Sequence, residues 1–129
     1  NGTADTLSFA ITEPTDLVLT IANVDRVKCY GEANGSIDMA VSGGITDYAY
    51  NWNTGDSVQD LTSLTAGTYT ITVTDHNGCT KNTSVTVYQP DSISIIVDSV
   101  KNTSGENGAI YISVSGGVGN YLYDWNNDG

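Results

Sequence analysis

The sequence predicts an all-β protein built from tandem immunoglobulin-like, PKD-like antiparallel β-sandwich repeats of about 76 residues. Apolar and polar residues alternate with a period of two along most of the chain, which marks half-buried strands. Ser and Thr together number 29 and Gly 14 among 129 residues, while good helix formers are scarce. The chain also matches itself. Gly35 to Trp52 aligns with Gly108 to Trp125 at an offset of 73, through an Asn-Gly turn, an alternating run, "VSGG" and Tyr-x-Tyr-x-Trp-Asn.

Upstream the offset becomes 76, and Pro14, Leu17, Leu19, Ile21 and Val24 fall on Pro90, Ile93, Ile95, Val97 and Val100. The difference is absorbed in a polar, Gly-containing loop, where insertions cost little. The same offset places Asn77-Gly78 on Asn1-Gly2, with Phe9 and Ile11 where Val85 and Val87 recur. The expected organisation is the last strand of one repeat over residues 1–13, a complete sandwich over 14–89, and the first half of a following repeat over 90–129.

Within the complete repeat each strand has its own signal. Leu17, Leu19 and Ile21 share one face of a first strand, and Ile37, Met39 and Val41 one face of a second. Tyr48, Tyr50 and Trp52 share a face of a third. "SVQDLTSL" reads as a short strand or an irregular connection. "GTYTITVTD" sets Tyr69, Ile71 and Val73 against Thr70, Thr72 and Thr74, and "HNG" then turns the chain, since Asn-Gly suits φ > 0. "TKNTSVTVY" closes the unit with Val85 and Val87 inward. Short strands at such spacing predict a sandwich, with Trp52 in the position of a buried core Trp and Tyr69 at a tyrosine corner.

Charge narrows the function. Fifteen acidic residues against 4 basic ones give a formal net charge of -11. Such a surface repels nucleic acid and anionic membranes, and no window is apolar enough to span a bilayer. Neither nucleic acid nor membrane insertion is expected.

Cys29 and Cys79 invite a disulfide, on the expectation that their two loops meet at one pole of the sandwich. The bond would close a loop of about 50 residues and stabilise by roughly 4 kcal/mol. The flanking repeats show Thr3 at the second position and no Cys between Asn102 and Gly105, so the visible cysteines form one pair in one repeat. Two unrelated small thiols are the alternative. A disulfide would place the chain in an oxidising, extracytoplasmic setting.

The Tyr48, Tyr50 and Trp52 stripe recurs at Tyr121, Tyr123 and Trp125. A sugar-stacking platform is one reading of it; recurrence in every repeat favours core. The acidic and amide runs "NWNTGD", "TDHNGC" and "DWNNDG" raise calcium, but none has the spacing of a known calcium loop, and turn chemistry accounts for them. His76 is the only histidine, beside Asp75 in a turn, with no nucleophile or orienting group in attendance. No enzyme activity and no cofactor is expected. Asn1, Asn34, Asn82 and Asn102 each begin an Asn-x-Ser/Thr triplet, which a chain this rich in Ser and Thr produces freely.

"CYGEANGSIDMAVSGGITDYAYNWNTGD" followed by "LTAGTYTITVTDHNGC" resembles the SprB-type repeat, nearly end to end from Cys29 to Cys79. Asp47 stands where that family usually has Pro, and the last repeat lacks the first Cys. The resemblance implies very long cell-surface adhesins of Bacteroidetes-type bacteria, exported by type IX secretion, some carried by the gliding machinery. It also implies O-glycosylation at Asp-Ser/Thr before an apolar residue, a triplet that marks Thr6, Ser57, Ser92 and Ser99.

The expected role is therefore a non-enzymatic stalk or fibre segment of a bacterial surface adhesin. Its partners would be neighbouring repeats of the same chain, other copies in a fibre, or surface polysaccharide. A carbohydrate-binding surface module and a subunit of a self-assembling extracellular filament are the competing readings.

Overall fold

The computed structural model describes residues 13–102, 104–105 and 107–126; the strand expected over 1–13 lies almost wholly outside them. Every regular element among the described residues is a strand: β1 (Val18–Asp25), β2 (Gly35–Ser42), β3 (Ala49–Trp52), β4 (Leu61–Leu64), β5 (Gly67–Thr74), β6 (Thr80–Val87), β7 (Ser94–Lys101) and β8 (Ala109–Ser115). The first six form two three-stranded antiparallel sheets, ordered β1-β2-β4 and β3-β5-β6. Their inner faces enclose one core, which includes Leu17, Val27, Ile37, Met39, Trp52 and Ile71. Among the described residues, all of the buried hydrophobic ones fall between Leu17 and Val87, so this sandwich closes on itself.

Alternation explains the packing strand by strand. β5 buries Tyr69, Ile71 and Val73 and turns its threonines outward, against Val85, Thr83 and Lys81 of β6 in register. Tyr69 forms the expected corner: its hydroxyl donates to the Thr65 carbonyl at 2.8 Å, which satisfies the one polar atom that burial would otherwise strand.

The irregular "SVQDLTSL" stretch decides the topology. β3 and β4 are only four residues each. β3 pairs antiparallel with β5 and β4 antiparallel with β2, and both run toward the end of the sandwich where β1 finishes. Together they make a single pass, half in each sheet, with residues 53–60 crossing between the sheets at mid-height. The crossing is held by Trp52, whose indole N–H donates to the Val58 carbonyl at 2.8 Å. It is held again by Asp60 and Gln59, which accept the Met39 N–H at 2.8 Å and donate to the Met39 carbonyl at 2.5 Å. Those two side chains occupy the edge of β2 beyond its pairing with β4.

The β7–β8 hairpin reproduces β1–β2 register for register. Leu19↔Val41, Ile21↔Met39 and Val24↔Ile37 become Ile95↔Val114, Val97↔Ile112 and Val100↔Ile110. Even the bulge recurs, between Ile21 and Asn23 and between Val97 and Ser99. After each hairpin the paired glycines take left-handed backbone, φ 71 and 60 at Gly43 and Gly44, 78 and 62 at Gly116 and Gly117. Asp47 and Asn120, at equivalent positions, are left-handed too, with φ 78 and 54. Asp and Asn tolerate that region better than other side-chain-bearing residues, and Pro, with φ near -65°, cannot enter it. A Pro at position 47 would not fit the backbone found there.

Candidate functional site: the two poles and the joint

The sandwich has an entry pole, where β1 begins, and an exit pole, where β6 ends. The entry pole is organised by Asp75. Its carboxylate accepts amide N–H groups of Ile45 (3.1 Å), Asn77 (3.0 Å) and Cys79 (2.8 Å), and its own amide donates to the Cys79 carbonyl. Asp75 is buried. Burial raises its pKa, but the amides of Cys79, Ile45, Asn77 and Gly78 more than offset this and hold it below the usual carboxylate value. Gly44 lies against this carboxylate, where a Cβ would meet Oδ2 at 2.9 Å. The backbone of His76 joins the same clasp, its amide donating to the Ile45 carbonyl at 3.2 Å. Asp75 had been legible only as one member of an acidic turn. The signal for its role is its place, immediately after the alternating strand and four residues before Cys79.

Among the described residues no three of His, Cys, Asp and Glu come together.

The exit pole is the joint to the next repeat. The Val27 amide donates to the Tyr88 carbonyl at 2.8 Å, and the Gly31 amide to Gln89 Oε1 at 2.9 Å. The β1–β2 loop thereby grips the linker just before Pro90. Beyond it the Gly117 amide donates to the Asp91 carbonyl at 2.7 Å, as Gly44 does to Thr15 at 2.7 Å. Tyr48 donates to the Gly43 carbonyl at 2.7 Å, and Tyr121 makes the same bond to Gly116. A cavity of about 710 Å³ spans the joint, lined by Cys29 and Tyr30 on one side and Ile93, Gly117, Val118 and Tyr121 on the other.

The cysteine expectation is corrected by the topology. Cys29 lies in the β1–β2 loop at the exit pole, and Cys79 in the β5–β6 turn at the entry pole. β6 alone, eight residues from Thr80 to Val87, separates those poles by roughly 25 Å at the usual rise of a strand. A disulfide needs Cα atoms within about 7 Å. Both thiols are free and exposed, and no Cys29–Cys79 bond exists within the unit. The physical cause is the half-pass of β3 and β4. Had each been a full strand, strict alternation would have returned the β5–β6 turn to the pole of Cys29.

The aromatic residues divide by unit. Trp52 is 2% exposed and Tyr69 8%, with Tyr48 and Tyr50 half-buried. The Tyr50 hydroxyl donates to Gln59 Oε1 at 3.1 Å; burial, then Tyr48 and Asp60, push its pKa upward. Tyr121 is half-buried, whereas Tyr123 and Trp125 are 59% and 58% exposed. Ser57, Ser92 and Ser99 are exposed, and Thr6 lies outside the described residues.

The sequence model of the SprB repeat family matches residues 21–57 and 103–129. No curated protein and no solved structure matches the chain. The first match runs from β1 through β3 into the crossing, and the second takes in β8 and the aromatic stripe behind it. The chain therefore carries two segments that match the SprB repeat, one in the closed sandwich and another in the segment that repeats its first half.

Proposed function

We propose that this chain is a stretch of the stalk of a bacterial cell-surface adhesin, a non-enzymatic spacer that gives reach between the cell and what it grips. The recurrence of the β1–β2 hairpin as β7–β8, with identical register, bulge and glycine geometry, supports this most directly. Each unit passes the chain from its entry pole to its exit pole, so further units add length without a new fold. The SprB repeat match supports a surface location of the adhesin type. The grip of Val27 and Gly31 on the linker supports a stiff joint. Gliding, type IX export and O-glycans at Thr6, Ser57, Ser92 and Ser99 belong to the same reading.

Small-angle scattering on chains with increasing numbers of units tests the stalk. The expected maximum dimension rises linearly with unit number. A dimension that grows as a random chain would, near the square root, overturns it. Surface labelling of intact cells with an antibody to the closed sandwich tests location, and labelling seen only after lysis defeats it.

The carbohydrate-platform reading needs a row of exposed rings. In the closed sandwich that row runs inward, ending at a Trp that is 2% exposed.

A further inference from the structure

Two exposed thiols stand at opposite poles of one closed unit, and neither can reach the other. Cys29 is not isolated, however. It lines the cavity at the joint together with Gly117, Val118 and Tyr121 of the following repeat.

Those three residues have known counterparts. Gly117, Val118 and Tyr121 occupy the places of Gly44, Ile45 and Tyr48. In the closed unit, Gly44 and Ile45 are the residues against which Asp75 is clasped, and Asp75 in turn holds Cys79 through paired bonds of 2.8 Å. The entry-pole geometry is conserved between the two units down to the Gly44–Thr15 and Gly117–Asp91 bonds, both 2.7 Å. In a unit completed on the β7–β8 hairpin, the residue at the Cys79 position would therefore lie beside Gly117 and Val118. That is the wall of the cavity that Cys29 already lines.

We propose that Cys29 forms a disulfide across the joint, with the thiol at the Cys79 position of the next unit, and that Cys79 does the same with the Cys29 position of the unit before. This rests on the stalk reading, because it requires the units to follow one another in an array. Each bond forms as two thiols give up their protons and two electrons to a disulfide oxidant, which leaves as two thiols.

The test uses the full chain with one extra unit, residues 14–89 inserted after Gln89, so that the Gln-Pro joint is kept. One variant retains only Cys29 of the first copy and Cys79 of the inserted copy. A second retains Cys29 and Cys79 of the same copy, and the remaining cysteines are serine in both. After incubation with oxidised glutathione at high dilution, the first variant is expected as a monomer lighter by two hydrogens and unreactive to maleimide. The second is expected to keep both thiols titratable. Closure within one unit, or no closure across the joint, overturns the proposal. Scattering on the same chains separates the two levels. An extended, stiff chain whose joint pair stays open defeats the cross-link alone, whereas loosely tethered units defeat the stalk reading beneath it.

Discussion

Asp75 accepts the amide of Ile45 at 3.1 Å across thirty residues of sequence, and so ties the β5–β6 turn to the loop that follows β2. The bond explains why two stretches with no obvious relation in sequence, "VSGGI" and "TDHNGC", occur in one unit. The first offers the Ile45 amide from a left-handed bend, and the second offers the carboxylate that accepts it.

Asp75 makes stability depend on pH in a defined direction. Its folded pKa lies below its unfolded one, because the amides that favour its charge outweigh burial. The stabilisation is therefore fully present above the unfolded pKa, about 4, and is lost as pH falls through the folded value. Urea midpoints of the wild-type chain are expected to hold near neutrality and fall below about pH 4. Asp75→Asn is expected to lower the midpoint at pH 7 and to flatten the acid limb. A variant whose midpoint tracks wild type at every pH would remove the clasp from the account.

Gly43 and Gly55 both have positive φ, 71 and 95, but only one is crowded. A Cβ on Gly43 would run into the Asp16 carbonyl, whereas one on Gly55 meets nothing within 4 Å. Gly55→Ala is expected to cost about 1 kcal/mol, the conformational term alone. Gly43→Ala should cost at least twice as much by chemical denaturation. Equal costs would show that the Asp16 contact relaxes freely.

Trp52 and Trp125 occupy equivalent positions with opposite surroundings, 2% and 58% exposed. Trp52→Ala is expected to destabilise the sandwich by about 3–5 kcal/mol, and Trp125→Ala to leave it within about 0.5 kcal/mol. Far-UV circular dichroism in urea reads both. A large loss from Trp125→Ala would mean that the hairpin supports the sandwich through the joint.

O-glycosylation at Ser57, Ser92, Ser99 or Thr6 is read by intact mass on protein purified from its natural host. Ser57 and Ser99 present exposed side chains, and Ser92 lies beside the joint. A mass above the bare sequence that falls when these four residues are changed to Ala is the expected result. The bare mass in the native protein would end the idea.

The inward faces of the strands were legible because burial on one side of a sheet imposes a period of two, and Tyr69, Ile71 and Val73 obey it without exception. The corner hydrogen bond of Tyr69 was legible for a similar reason: a buried hydroxyl must find a local carbonyl. The pole of each cysteine was not. It depends on whether "SVQDLTSL" adds a full traverse or half of one. The decision rests on contacts far apart in sequence, Asp60 and Gln59 with Met39, that no local pattern reports. Asp75 was missed for the same cause, since its partners become visible only when two loops share a pole.

The half-pass of β3 and β4 has a mechanical corollary. It leaves β1 and β6 pointing the same way, so the proposed stalk, if loaded, would be pulled in at Leu17 and out at Val87, at opposite ends of the sandwich. The force then acts along the strands, at right angles to the hydrogen bonds between them. Every rung of each ladder is strained together; none peels open ahead of its neighbours. Resistance to tearing thus comes from the direction in which the chain leaves each bead.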